Sequence, residues 1–437
     1  MLKREIAMAT AGLLVLLAGC AEKEEILPGE RIAVADSVLG ATPPARAAAT
    51  PVALPAPVAN ADWGQPGGNA AHRGAHVALR VPPAPLWSVP IGAGDGRRTR
   101  ITAEPAVAGG RVFTLDSAGL VTATSTAGQV LWQASVVPAS DPGGRRPGGG
   151  IAATGGTVYV GTEYGEVVAL DAATGGIRWR QRFDGPVTAP PAVAGDRLYV
   201  VARDASAWAI DARDGKVIWT LTGVPSPSGV TGGAAPAVGD NLVVFPFSSG
   251  GLIATRAAGG STAWEAQVVG QRKGRAWSGI TDITADPVIE GGILYTGNQS
   301  GRTVAIRLAD GTTIWEAEEG SFGPVALAGN AVFFVNDESH LVRLDKASGA
   351  TVWKVPLSYY FAEKERKRNA IQVHFGPVLA GGRLVLASTD GTLSFYDPTS
   401  GGLVAQVALP AGAASAPVVA GQTLYVVTRD GMLHAFR

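Results

Sequence analysis

Histidine and cysteine are the scarcest reactive side chains in this 437-residue chain: His72, His76, His340, His374, His434 and a single cysteine, Cys20. His72 and His76 have the four-residue spacing that aligns two imidazoles on a helix. They lie in a glycine-rich stretch with no helical pattern and no cysteine beside them, so the pair does not read as a metal site. No Gly-x-Ser-x-Gly elbow is present, and the glycines of residues 147–150 lack the lysine and the strand-to-helix setting of a phosphate loop. No nucleophile–base pair stands out. The chemistry therefore points to a binding surface, with no catalytic, cofactor or metal residue to name, and one cysteine allows no internal disulfide.

Carboxylates recur instead at a fixed place. Asp171, Asp211, Asp345 and Asp397 each open a turn that ends in glycine four residues later, and a tryptophan stands four residues beyond the glycine in the first three. Chemistry needs one asymmetric site, whereas packing needs the same residue in every repeat. The aspartates therefore read as turn residues that bond their own backbone, and the tryptophans as rings packed between neighbouring modules.

Residues 151–179 show the whole module: a Gly155-Gly156 turn, the alternating Val158-Tyr159-Val160, a turn at Tyr164-Gly165, a strand to Leu170, the Asp171–Gly175 turn, and a last strand that closes on Trp179. Period-two hydrophobicity bounded by glycine, aspartate and threonine is the pattern of short antiparallel strands and tight turns. Closing positions follow at Trp87, Trp132, Trp179, Trp219, Trp264, Trp315, Trp353 and, without the ring, Ala405. They are spaced by 38 to 52 residues, the period of a four-stranded propeller blade. Module starts fall at Pro105, Ala152, Pro191, Pro236, Pro287, Pro324, Pro377 and Pro417. Eight starts predict an all-β, eight-bladed propeller of four-stranded antiparallel blades. The last module has three strands, and the orphan strand at Leu86-Trp87 supplies its fourth, so residues 86–90 should pair with 432–436 and leave no free edge.

The N-terminus has a different character. Lys3 and Arg4, the apolar run from Ile6 to Leu17, and Leu17-Ala18-Gly19-Cys20 resemble the lipobox of a bacterial lipoprotein signal, with Cys20 as the lipidated residue and Ala21 implying export to the outer membrane. The expected organisation is a signal peptide at 1–19, a lipidated cysteine with an Ala/Pro-rich tether at 20–61, and the propeller at 62–437. A tether of that length and composition reaches several tens of ångströms. Lys and Arg number 36, as do Asp and Glu, so no global field draws the chain to nucleic acid. Three segments depart from the repeat and are the places to seek partners: 223–233, 268–286, which includes Arg275 and Trp277, and 357–374, in which Tyr359, Tyr360 and Phe361 precede Glu363-Lys364-Glu365-Arg366-Lys367-Arg368.

The module resembles the quinoprotein-like propeller repeat. Lipobox, tether, Pro85-Leu86-Trp87-Ser88 and eight modules together are similar to the BamB family of lipoproteins of the bacterial β-barrel assembly machinery. The resemblance implies a non-enzymatic, lipid-anchored scaffold on the periplasmic face of the outer membrane. Such a scaffold binds the POTRA domains of BamA and aids insertion of unfolded outer-membrane proteins. In that family the contacts come from loops that enter blades four and five. Matched through the module-start prolines, they fall at Ser228, Val230 and Thr231, and at Asp282 and Thr284. Of two apolar residues and an arginine frequent in the family only Val230 keeps the character, and of an Asp-x-Asp pair only Asp282 remains. Two other readings use the same repeat: a propeller lipoprotein of another envelope complex, and a dehydrogenase dependent on pyrroloquinoline quinone. The second usually brings a longer chain, adjacent cysteines and an acidic calcium site.

Overall fold

The computed structural model describes residues 50–437 apart from 142–147, 228, 231, 271, 273–278 and 363. Cys20, the signal segment, residues 20–49 of the tether, Ser228, Thr231, Arg275 and Trp277 thus lie outside the described residues. Eight four-stranded antiparallel sheets form among the described residues, seven with their strands in chain order and one that adds Pro85–Pro90 to the last three strands. In the first, Ala106–Ala108, Arg111–Leu115, Leu120–Ser125 and Val130–Ser135 follow one another. First strands of blades one to five, and of blades six and seven, touch those of their neighbours, as strands around a central axis do. The second and third strands are buried on both faces between neighbouring blades, so they read as nearly unbroken apolar runs such as Val158-Tyr159-Val160. The fourth strand lies outermost and alternates between exposed and half-buried positions. Gly155 and Gly156, at φ 58° and 77°, form the two-residue hairpin link that requires positive φ at both positions.

The proline that starts most blades stands just before the innermost strand, where its missing N–H breaks no ladder. Register refines two of the starts. Ala153 pairs with Val158 as Val107 does with Val112, so Ile151, not Ala152, occupies the proline position of blade two. Val325 occupies it in blade six, one residue after Pro324, because Leu327 pairs with Val332.

Seven tryptophans have the inter-blade role expected of them. Trp132 Nε1 donates to the Ala172 carbonyl at 3.1 Å, and Trp179 to that of Ala212 at 3.2 Å, each in the turn between the third and fourth strands of the next blade. The same bond recurs from Trp87, Trp219, Trp264, Trp315 and Trp353. Four of these turns open on an aspartate, at 171, 211, 345 and 397, whose Oδ1 caps the turn: Asp171 Oδ1 accepts from the Ala173 and Thr174 N–H groups at 3.0 and 2.9 Å. Arg178 and these bonds pull its carboxyl down to about 2.

Pro85–Pro90 pairs antiparallel with Met432–Phe436, Trp87 opposite Ala435, and closes blade eight as the sequence predicts. Ala84 and Arg437 exchange backbone bonds of 2.7 and 2.8 Å beside it.

The chain before this strand is built into the propeller as well. Thr50, Val52 and Leu54, within the stretch read as tether, lie against blades six and seven; the Thr50 carbonyl accepts from the buried Arg343 at 2.8 Å. From Asn60 the chain crosses the innermost strands in turn. Asn60 bonds Val419, Trp63 exchanges two bonds with Val107, Gly64 accepts from Ala153, and Gln65 makes two bonds to Val193. Ala70, Ala71 and Val77 then bond Val238, Ile289 and Leu379. The inner-strand edges of seven blades are satisfied by one segment, which keeps backbone groups near the axis paired.

Candidate partner-binding face

Links from a fourth strand to the next blade emerge on the same side as the turns between second and third strands, since both follow outward-pairing strands of equal direction. All three segments that depart from the repeat are therefore on one face. Loop 223–233 and loop 268–286 meet there. Val230 N–H donates to Asp282 Oδ2 at 2.5 Å, and Arg203, in the second-to-third-strand turn of blade three, donates to the Val230 carbonyl at 3.3 Å. Asp282 is buried, which pushes its carboxyl up; the Val230 N–H, Ser248 and the Arg203 charge oppose the shift. Thr188, Arg203, Val230, Phe247, Ser248 and Asp282 line a small cleft between blades three, four and five. Val224 and Val269 stand exposed on the same two loops.

Two sequence-derived site residues, Val230 and Asp282, are thus in direct contact. Thr284 turns away: its hydroxyl donates to the Ser321 carbonyl and its N–H to that of Gly297, toward blade six. Arg203 carried no signal in the sequence, because Arg203-Asp204 reads as one more repeat turn. Arg272 was equally silent. It holds Asp337 in a fork, with Nε–Oδ2 at 2.5 Å and an η nitrogen to Oδ1 at 2.7 Å, and so pins loop 268–286 to blade six. In the third segment, His374 bridges the Ser388 hydroxyl and the Ser358 carbonyl at 2.7 Å each, and burial holds its pKa down.

A second group of ionisable side chains lies at the axis. Glu104 and Asp286 stand immediately before Pro105 and Pro287, at matching positions of blades one and five, which oppose each other across an eight-membered ring. Burial, then the Asp286 charge, pushes the Glu104 carboxyl up to about 8. Asp286 is also raised by burial and accepts from the Ala235 N–H at 2.6 Å. His72 Nδ1 lies 3.0 Å from the Pro287 carbonyl, and its buried Nε2 has no partner among the described residues. His76 is used elsewhere, between Pro55 and Gly382.

The sequence matches a known family: residues 117–355 and 363–437 fit the family model described as outer membrane protein assembly factor BamB. The chain belongs to the BamB family. Curated BamB relatives include that of Yersinia pestis, 27% identical over 366 residues (82% of this chain, 90% of the relative), and that of Escherichia coli K12, 25% identical over 365 residues (82% and 90%). The crystal structure of BamB from Moraxella catarrhalis superposes with a TM-score of 0.67 at 19% identity, covering 81% of this chain and 99% of that one. A quinohemoprotein alcohol dehydrogenase from Comamonas testosteroni reaches the same TM-score at 16% identity over 86% of this chain and 80% of its own. Likeness at that identity reports the propeller alone. BamB membership joins the quinoprotein-like repeat to an assembly-factor family.

Proposed function

We propose that this chain is a non-enzymatic scaffold subunit of the outer-membrane β-barrel assembly complex. In this reading it is held at the periplasmic face of the outer membrane by lipid on Cys20, and it binds the POTRA domains of a BamA homologue through the face formed by loops 223–233 and 268–286. The observation that carries the reading is the Val230–Asp282 contact, which joins two loops from different blades into one surface at positions matched to family contacts. Exposed Val224 and Val269 supply the apolar part, and Arg203 and Asp282, which line the same cleft, a polar centre, the usual composition of a protein interface. The recurrent aspartates and tryptophans are consumed by turns and packing, which leaves the loops as the part of the molecule that the repeat does not use.

Co-purification tests it. The lipoprotein should bring down a BamA homologue, and Val224→Glu combined with Asp282→Ala should weaken POTRA binding at least tenfold, about 1.4 kcal/mol, with the propeller still folded by circular dichroism. If the native chain brings down no BamA homologue, this reading loses its basis.

A further inference from the structure

The segment 357–373 carries a surface that the cleft of blades three to five does not use. Tyr360, Phe361, Ile371 and Val373 are exposed at 40, 48, 46 and 38%. They are held side by side, since Tyr360 and Ile371 form a β-bridge, the Gln372 N–H bonds the Tyr359 carbonyl, and the Phe361 N–H bonds that of Ala370. Between the two apolar pairs runs the short 3₁₀ turn Glu365–Lys367. Lys364, Arg366 and Lys367 are exposed there and make no ion pair among the described residues. Arg368 lies over the Tyr360 ring at 5.1 Å, and Arg429 approaches Phe361 at 6.0 Å.

We propose that this patch rests on an anionic phospholipid surface, with Tyr360, Phe361, Ile371 and Val373 at the headgroup boundary and Lys364, Arg366 and Lys367 on lipid phosphates. Two physical arguments select lipid over an acidic protein. Aromatic and aliphatic side chains ringed by basic ones are the composition that partitions into the interface of an anionic bilayer. Lys364, Arg366 and Lys367 lie along a short exposed turn around the equally exposed Glu365, with no ion pair among the described residues, and a fluid lipid surface adapts to such spacing where a folded partner would need a matching rigid array. A lipid-anchored chain also needs little affinity here, because a tether of some tens of residues turns contact into an intramolecular event at high effective concentration. This last argument rests on the anchoring reading of Cys20.

The test uses the full lipidated chain in vesicles. Cys20 is the only cysteine in the sequence, so Ile371→Cys takes an environment-sensitive dye at one place, and unlabelled native protein checks that Cys20 is capped. Flotation with vesicles reports the anchor separately from the dye. With vesicles of phosphatidylcholine containing phosphatidylglycerol, the dye at 371 should shift to the blue. The shift should fall to its level in pure phosphatidylcholine when Arg366→Gln and Lys367→Gln are added or salt is raised, and a dye at Val224→Cys should not shift. Phe361→Ser in the labelled chain should also reduce the shift, which separates the ring from the charges. Equal shifts at 371 and 224, indifference to lipid charge, or a shift at 371 that appears only when POTRA protein is added would each overturn the proposal.

Discussion

Gly175 lies against the ring of Trp132 in the preceding blade: a β-carbon on it would fall 2.6 Å from Trp132 Cε3. The turn that receives the Nε1 bond also offers the ring a flat, side-chain-free floor. Position 175 is at φ 76°, so a substitution meets backbone strain and a clash together. Gly155, at φ 58° with nothing near its missing β-carbon, meets only the first. Gly155→Ala should cost about 1 kcal/mol, and Gly175→Ala about 2 to 4 kcal/mol, the excess arising from overpacking. Urea unfolding of both variants measures the difference; equal losses would show that the ring is not in rigid contact.

Ala405 is the one closing position without a tryptophan, and the next blade explains it. Each docking tryptophan is received by the turn between third and fourth strands of its neighbour. In blade eight those strands are Met432–Phe436 and Pro85–Pro90, which are not consecutive in the chain, so no turn joins them to receive a ring. Ala405→Trp should therefore bring no gain in melting temperature, whereas Trp353→Ala, which empties a filled site, should cost about 3 kcal/mol. A clear stabilisation by Ala405→Trp would mean that the ring finds a floor without the turn.

Fold was legible because the repeat states one pattern many times: Asp171, Gly175 and Trp179 name a turn, its floor and its closure, and the strand at Trp87 announces its distant partner at Ala435 through what the last module lacks. Val230 and Asp282 were reached by matching positions, but their mutual bond was not, since it joins loops 52 residues apart whose sequences carry no periodicity. Arg272 and Asp337 share the same opacity: a charge pair across two blades leaves no mark along the chain. The path of Asn60 to Val77 across the inner strands was hidden for another reason. It is made by backbone groups, which almost any side chain permits.

Stability should depend on pH through the axial carboxyl Glu104. Its pKa rises from an ordinary 4.5 to about 8 on folding, so the folded chain keeps a proton that the unfolded chain releases. That contribution is fully present below about 4.5 and is lost as pH rises through about 8, with a slope of at most about 1.4 kcal/mol per pH unit. Asp286, also raised, acts with the same sign. His72, lowered by burial, acts oppositely and costs stability as pH falls below its ordinary 6.5. Urea unfolding from pH 5 to 9 should show the alkaline decline flattened in Glu104→Gln and the acid limb unchanged. An unaltered alkaline slope would place the titration elsewhere.

The Arg272–Asp337 fork should behave as a unit. Asp337 is buried, and its Oδ1 also accepts from the Gly320 N–H at 3.0 Å, so removal of the arginine strands a carboxylate that retains one bond. Arg272→Ala should cost about 2 kcal/mol, less than a fully enclosed pair because its side chain is 19% exposed. Asp337→Asn keeps an oxygen for Gly320 and removes the charge, so the double variant should be less damaged than the sum of the two single ones, by about 1 kcal/mol in a double-mutant cycle. Additive losses would show that Arg272 contributes only packing. The same cycle read by POTRA binding separates two roles for loop 268–286. If Arg272 presents the loop, Arg272→Ala weakens binding in proportion to the coupling energy; if it serves blade packing alone, affinity holds while the unfolding midpoint falls.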